Sequence, residues 1–175
     1  NAPGINVYGV SIPGTPCVII GFNENVAWGM TNAGSDVFDW YRIKFKDESR
    51  KQYFYDGEWR DVAVQKEIIK VRGGQDIVDE VLYTHHGPIV FTEGGSRMFL
   101  NVPVDAALRW TAHYPSNELW TFIKLNRGRN YEDYVDALSH YKCPAQNIVF
   151  ASSEGDIAIR HIGKFPLRWI KQGRY

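Results

Sequence analysis

The sequence is poor in cysteine and carries no excess charge of either sign. Its 175 residues include two cysteines, and 20 basic side chains balance 20 acidic ones. Two cysteines are too few for a disulfide framework. A formal net charge of zero lacks the basic excess that nucleic-acid or anionic-membrane binding requires. We therefore expect a protein stabilised by its apolar core, with no nucleic-acid partner and no membrane partner.

Long apolar runs are also absent. The longest, such as Cys17–Ile20 and Ile148–Ala151, are far shorter than the ~20 residues of a membrane helix, and no segment resembles a signal peptide. The first residue is Asn1 rather than Met, so we expect a processed or excised piece of a longer protein. Cys17 and Cys143 are expected to be buried thiols, although one long-range disulfide is also compatible with the sequence.

Several catalytic motifs are missing. None of the five histidines has the helical spacing beside a glutamate that marks zinc hydrolases, and the glycine patterns of P-loops, dinucleotide sites and serine-hydrolase elbows do not occur. The pair His85-His86 precedes Gly87-Pro88, which is more typical of a strand end and a turn than of metal ligands. Motifs alone therefore assign no reaction.

The sequence pattern of the first two thirds of the chain predicts β-strands. Short runs alternate β-branched or aromatic residues with polar ones, and Asp56-Gly57 between aromatic residues predicts a two-residue hairpin turn. A further alternating run, Val62–Val71, is followed by Gly73-Gly74 and by Ile77–Tyr83. We expect a meander of antiparallel strands here.

The last third predicts two helices and a hairpin. Asn117 can cap a helix over Glu118–Leu125, in which Leu119, Phe122 and Ile123 share one face, and Asn130 can cap a second helix over Tyr131–His140. A final hairpin turns at residues 154–156. The predicted fold class is α+β, with a mainly antiparallel sheet and two short helices and no linker or repeat.

Asp36 and Asp39 follow a loop of small residues. Two carboxylates with a backbone carbonyl between them can bind calcium, which takes about six to eight oxygens, so this pair alone cannot complete a site. The alternative is that both acids accept hydrogen bonds from loop amides or face solvent. From the residues alone, the second interpretation is favoured.

The order of short motifs along almost the whole chain resembles the large (β) subunit of the penicillin acylase family. These motifs are Asn6–Pro16, Ile20–Asn32, Asp36–Asp39, His86–Pro88, Leu108–Ala112, Leu125–Arg127, Pro144–Ala151, Gly155–Ile157 and Gly163–Arg168. The resemblance implies that residues 1–175 are a fragment of a four-layer αββα N-terminal-nucleophile hydrolase. It implies cleavage of an acyl amide, such as a β-lactam side chain or an acyl homoserine lactone, by an N-terminal serine upstream of Asn1.

The resemblance also assigns roles to residues of this chain. The backbone N–H of Asn32 would donate to the oxyanion, and Ile20, Met30, Phe122 and Gln146 would line the acyl pocket. Asp36, the carbonyl of Phe38 and Asp39 would bind a structural calcium, completed by oxygens from outside the fragment.

Three expectations concern the wider protein. The family's self-cleaving precursor implies a small (α) subunit as partner, and its usual export implies a periplasmic or secreted protein. Strand edges left unpaired in the fragment imply self-association. The alternative function is a non-catalytic binding or scaffold domain that keeps the acylase fold without its nucleophile.

Overall fold

The computed structural model describes residues 4–91 and 104–170. The chain divides into two compact units. Of the described residues, 4–37 and 114–170 form unit 1, and 38–91 and 104–113 form unit 2. The strands in chain order are β1 Val7–Val10, β2 Ile20–Asn23, β3 Val26–Asn32, β4 Phe38–Arg42, β5 Gln52–Tyr55, β6 Glu58–Asp61, β7 Ala63–Ile69, β8 Ile77–Thr84, β9 Gly87–Pro88, β10 Ala106–Trp110, β11 Gln146–Ser152 and β12 Ile157–Ile162; the helices are α1 Glu118–Leu125 and α2 Tyr131–Leu138.

Unit 1 is built on a five-stranded antiparallel sheet. Its strand order is β1-β2-β3-β11-β12, so the hairpin at the end of the chain joins strands from its beginning through the pairing of β11 with β3. Gly9 lies directly opposite Gly21 in the β1–β2 pair, and a Cβ atom on Gly21 would lie 2.3 Å from the Tyr8 carbonyl oxygen. Only glycine therefore allows the close approach of these two strands.

The helices cover one face of this sheet. Phe122 and Leu125 of α1 and Tyr134 of α2 are buried with Trp28 and Ile148 in one apolar cluster. The hydroxyl of Tyr134 donates to the Ile148 carbonyl oxygen at 2.7 Å, which satisfies the polar end of a ring that is 1% exposed.

The opposite face of the sheet, here called the bare face, carries exposed apolar side chains. Side chains alternate between the two faces along each strand, so the neighbours of the core residues point outward. Those on the bare face are Tyr8, Val10, Ile20, Phe22, Val149, Ile157 and Ile159.

Two asparagine side chains fix the end of α1 to the sheet. Asn126 follows α1 and is 6% exposed; its Oδ1 accepts from the Val18 N–H and its Nδ2 donates to the Val18 carbonyl, both at 2.8 Å. Asn23, the last residue of β2, donates its Nδ2 N–H to the Gly128 carbonyl at 2.8 Å. The Asn126 side chain thus pairs with the N–H and carbonyl of Val18 as the backbone of a neighbouring strand would.

Helix ends differ in part from the sequence predictions. Helix α1 has the predicted bounds, but the Asn117 side chain makes no capping hydrogen bond, and its buried positions are Thr121, Phe122 and Leu125. Leu119, predicted on the buried face, is 42% exposed because the sheet packs against a face rotated towards Leu125. Asn130 does cap α2, accepting from the Asp133 N–H at 2.9 Å.

Unit 2 consists of small antiparallel sheets. These pair β10 with β4, β5 with β6, and β7 with β8 and β9. Asp56 and Gly57, between β5 and β6, have φ angles of 51° and 82°, which confirms the predicted hairpin with positive φ at both turn residues. The β7–β8 pair runs from Ala63 opposite Tyr83 to Ile69 opposite Ile77.

The two thiols do not form a disulfide. Cys17 and Cys143 are both outside any disulfide and partly buried, and burial raises the pKa of the Cys17 thiol. The favoured expectation of two thiols is therefore confirmed, although both are less buried than predicted.

Candidate functional site

Asn32 lies at the end of β3, and its backbone is turned away from β11. Residues of an antiparallel pair alternate between hydrogen-bonded and non-hydrogen-bonded positions. Ala33 donates its N–H to the Ala145 carbonyl at 3.3 Å, so Ala33 is in a hydrogen-bonded position. Asn32, which precedes it and lies opposite Gln146, is therefore in a non-hydrogen-bonded position. The N–H of Asn32 therefore points to the side of β3 occupied by β2, whose register with β3 covers only Ala27 and Trp28.

The residues predicted to line an acyl pocket do not all share one side of the sheet. Met30 and Phe122 pack into the cluster between sheet and helices, and Gln146 lies opposite Asn32 on that same side, half-buried. Ile20 lies on the bare face and is 38% exposed. The structure thus brings Met30, Phe122 and Gln146 to the helix-facing side and places Ile20 on the other.

The predicted calcium ligands fall on both sides of the boundary between the units. In unit 1, the Asp36 carboxylate lies 3.1 Å from Nη2 of Arg168. In unit 2, Phe38 and Asp39 begin β4, and Asp39 lies directly opposite Arg109 of β10. These oxygens have the chemistry that calcium requires, but they supply three of the six to eight that it takes. Among the described residues, no group of three or more His, Cys, Asp or Glu side chains is arranged to hold a metal ion.

A polar network beside Asn32 was not predicted from the sequence. His161 of β12 and Asn147 of β11 lie side by side, with 2.9 Å between Nδ1 and Oδ1. The Ser35 hydroxyl, on the loop after β3, lies 2.9 Å from Nε2 of the same histidine. The sequence separation of Ser35 and His161 is 126 residues, so no local pattern could have revealed this contact.

Unit 2 contains a pair of adjacent histidines. His85 and His86 form the turn between β8 and β9, as predicted, with their ring centroids 3.8 Å apart. Tyr41 stacks on His86 with 3.8 Å between centroids, and the His86 Nδ1 is buried with no hydrogen-bond partner among the described residues. Burial, together with the neighbouring charges of His85 and Arg109, lowers the pKa of His86 to about 4. The His86 ring is therefore uncharged near neutral pH.

Comparisons with known proteins identify the family. The sequence model described as Penicillin amidase matches residues 1–175. An acyl-homoserine lactone acylase QuiP of Pseudomonas syringae pv. syringae is 32% identical over 176 aligned residues, which cover 98% of this chain and 20% of that protein. A Penicillin acylase 2 proenzyme of a Pseudomonas species is 33% identical over 90 residues, 49% of this chain and 11% of that protein. The chain belongs to the penicillin amidase family.

A solved structure confirms the fold. The thermostable penicillin G acylase of Alcaligenes faecalis superposes with a TM-score of 0.75 at 25% identity, covering 93% of this chain and 28% of that one. The predicted α+β fold, mainly antiparallel with two helices, is that of the penicillin acylases. This chain spans about a fifth of the length of the curated QuiP relative. No helix among the described residues is long and apolar enough to cross a membrane.

Proposed function

We propose that this chain is part of the catalytic subunit of an amide hydrolase that releases an acyl group from an acyl amide. The observation that carries the proposal is the match of one amidase family model to all 175 residues. An N-terminal serine upstream of Asn1 would attack the amide carbonyl. Its own α-amine, with an ordinary pKa of about 8, would serve as the base, since a neutral amine can accept the hydroxyl proton near neutral pH.

The role proposed for Asn32 is to donate its backbone N–H to the oxyanion. The direction of this N–H, away from β11, supports the role because a donor already used in the β3–β11 ladder could not serve it. Loss of one such donor typically costs roughly 2.7–4 kcal/mol of transition-state stabilisation. A second donor, an asparagine side chain, would come from beyond Tyr175.

The proposed substrates are acyl amides with a mainly apolar acyl chain. Met30 and Phe122 supply apolar surface on the helix-facing side of the sheet, and Gln146 supplies one polar group there. The QuiP proteins, named acyl-homoserine lactone acylases, align with nearly the whole chain, which favours acyl homoserine lactones over β-lactam side chains as the first substrates to test.

A structural calcium is proposed for the complete protein. Asp36 and Asp39 would supply carboxylate oxygens and Phe38 a carbonyl oxygen, and the other ligands would come from the small (α) subunit and from residues after Tyr175. Calcium would hold these segments together and take no part in the reaction. The proenzyme name of one relative supports processing into two subunits, and we propose a periplasmic or secreted location from the family's usual export.

The test is to express the complete reading frame, then measure the intact mass and the N-terminal sequence of each product. Acyl release is then assayed with phenylacetyl amides and with long-chain acyl homoserine lactones. Self-cleavage to a new N-terminal serine together with acyl release is the expected result. An uncleaved and inactive product would contradict the proposal and favour the non-catalytic binding domain.

The isolated chain is proposed to self-associate. β1 and β12 form the edges of the five-stranded sheet, and exposed edges can pair with a second chain. Exposed apolar residues of the bare face, such as Ile157 at 85% and Ile159 at 66%, would add buried area. A monomeric sedimentation profile at high concentration would count against this association.

A further inference from the structure

A polar row crosses three strands at one end of the bare face. Thr31 of β3, Asn147 of β11 and His161 of β12 lie side by side in the sheet register. The Asn147 Nδ2 lies 3.5 Å from the Thr31 hydroxyl, which orients the amide with its Oδ1 towards the histidine. The neighbouring positions on this face are apolar, so the row is a local exception in the sheet.

The hydrogen bonds of the row determine which nitrogen of His161 carries the proton. An amide oxygen can only accept, so the Nδ1 of His161 must donate to the Oδ1 of Asn147 across their 2.9 Å contact. In the tautomer that carries its proton on Nδ1, the Nε2 is an acceptor. The Ser35 hydroxyl donates to it at 2.9 Å, which connects the row to the loop that follows β3.

This loop, residues 32–36, is here called the oxyanion loop because it begins at Asn32. Besides the contact of Ser35 with His161, the loop is held at its far end by Arg168, whose Nη2 donates to the Asp36 carbonyl at 3.3 Å. The ring of Phe165 stacks on His161 with 5.2 Å between centroids. The two residues that hold the loop, His161 and Arg168, thus come from β12 and from the segment after it. All of these residues belong to unit 1.

We propose that His161 is a positioning residue, which holds the oxyanion loop through Ser35 so that the N–H of Asn32 keeps its catalytic direction. The inference rests on the proposed function. His161 is exposed, so hydrogen bonds and ring stacking, rather than burial, fix its ring. An oxyanion donor acts at a separation of about 2.7–3.1 Å, and a small shift of the loop would weaken it.

Two conservative substitutions separate the two hydrogen bonds of the ring. His161→Gln places an amide oxygen near the position of Nε2 and keeps an acceptor for Ser35. His161→Asn places an amide nitrogen near the position of Nδ1 and keeps a donor for Asn147, but loses Ser35. Ser35→Ala removes the hydroxyl itself. His140→Ala, after α2 and outside the polar row, is the matched control for loss of a histidine.

The experiment measures kcat and KM for acyl release by the complete protein. His161→Asn and Ser35→Ala are each expected to lower kcat about fivefold, the equivalent of one hydrogen bond of ~1 kcal/mol, with KM unchanged, because the oxyanion forms only in the transition state. The double variant should be no slower than either single variant. His161→Gln should retain most of the activity, and His140→Ala all of it.

Equal kcat losses in the Gln and Asn variants, or a change confined to KM, would overturn the inference. Hydrogen exchange of the oxyanion loop, followed by mass spectrometry, supplies a readout independent of activity. Exchange should accelerate in His161→Asn and Ser35→Ala but not in His161→Gln. If the wild-type protein releases no acyl group, the proposed function fails and with it the positioning role of His161. Unchanged exchange in an active enzyme refutes the tether alone.

Discussion

Asn126 is the residue whose substitution tests the structure of unit 1 most directly. Its side chain is 6% exposed and makes two hydrogen bonds of 2.8 Å, one to the N–H and one to the carbonyl of Val18. Asn126→Ala removes both and leaves two backbone groups of a half-buried residue without their partners. The backbone of Asn126 has helical angles, φ −61° and ψ −20°, so alanine introduces no strain there.

The expected cost follows from the two lost hydrogen bonds. Leaving a buried backbone group without a partner costs about 1–3 kcal/mol. Because Val18 is half-buried and water can reach it in part, the lower half of this range, about 1–2 kcal/mol, applies to each of the two groups, and we expect a total loss of about 2–4 kcal/mol in the free energy of unfolding. Asn126→Asp should cost at least as much, since a carboxylate cannot donate to the Val18 carbonyl and lies against its oxygen.

Urea denaturation monitored by tryptophan fluorescence measures this loss, and Asn117→Ala is the matched control. Asn117 also adjoins α1, but it is exposed and its side chain makes no capping hydrogen bond, so its replacement should change stability by less than about 0.5 kcal/mol. The reasoning is refuted if Asn126→Ala costs no more than the control. Faster amide exchange around Val18 in the Asn126 variant alone would locate the damage.

Three further outcomes are expected. Lowering the pH from 7 to 5 should destabilise the wild type about 1 kcal/mol more than His86→Phe, as measured by urea titration. The His86 ring has a pKa near 6.5 in the unfolded chain but about 4 in the folded protein, so protonation in this pH range favours the unfolded state. Because the ring is partly exposed, we expect about 1 kcal/mol rather than the full value given by the two pKa values. An equal loss in both proteins would contradict this. Tyr134→Phe should cost about 1 kcal/mol by thermal denaturation, because it removes the 2.7 Å hydrogen bond to Ile148; an unchanged melting temperature would argue against it. Gly21→Ala should cost about 1–3 kcal/mol, since its Cβ would lie 2.3 Å from a carbonyl oxygen, and wild-type stability in the same denaturation assay would disprove the clash.

Local elements were predictable because their signals are local. The bounds of α1 were correct, since an apolar helical period between a polar residue and the following Asn126 is contained in a single segment. The positive φ angles at Asp56-Gly57 follow from residue types that tolerate them. The buried face of α1 was only partly correct, because the position of the sheet, and not the helix period alone, decides that Leu119 stays exposed.

The candidate site was predictable only through the resemblance to a family. That resemblance assigned the oxyanion role to Asn32, which the structure has at the end of β3, and the proposed roles of Asn32, Met30, Phe122 and Gln146 stay predictions. The contacts that hold the sheet and its loops in place are distant in sequence: Asn126 reaches back 108 residues to Val18, and His161 reaches back 126 residues to Ser35. No periodicity or turn pattern encodes pairs at such separations.

The discontinuity of unit 1 has a consequence for synthesis on the ribosome. The centre of its sheet joins β3 to β11, and all of residues 38–113 lie between the two segments that form the unit. The segment that carries β3 therefore emerges from the ribosome without β11, one of the two neighbours of β3, and cannot complete the sheet until β11 has been translated. At about 5–20 residues per second, that wait lasts on the order of 5–25 seconds. During this interval β3 exposes an unpaired strand edge. We therefore expect chaperones to bind the nascent chain until β11 has been made.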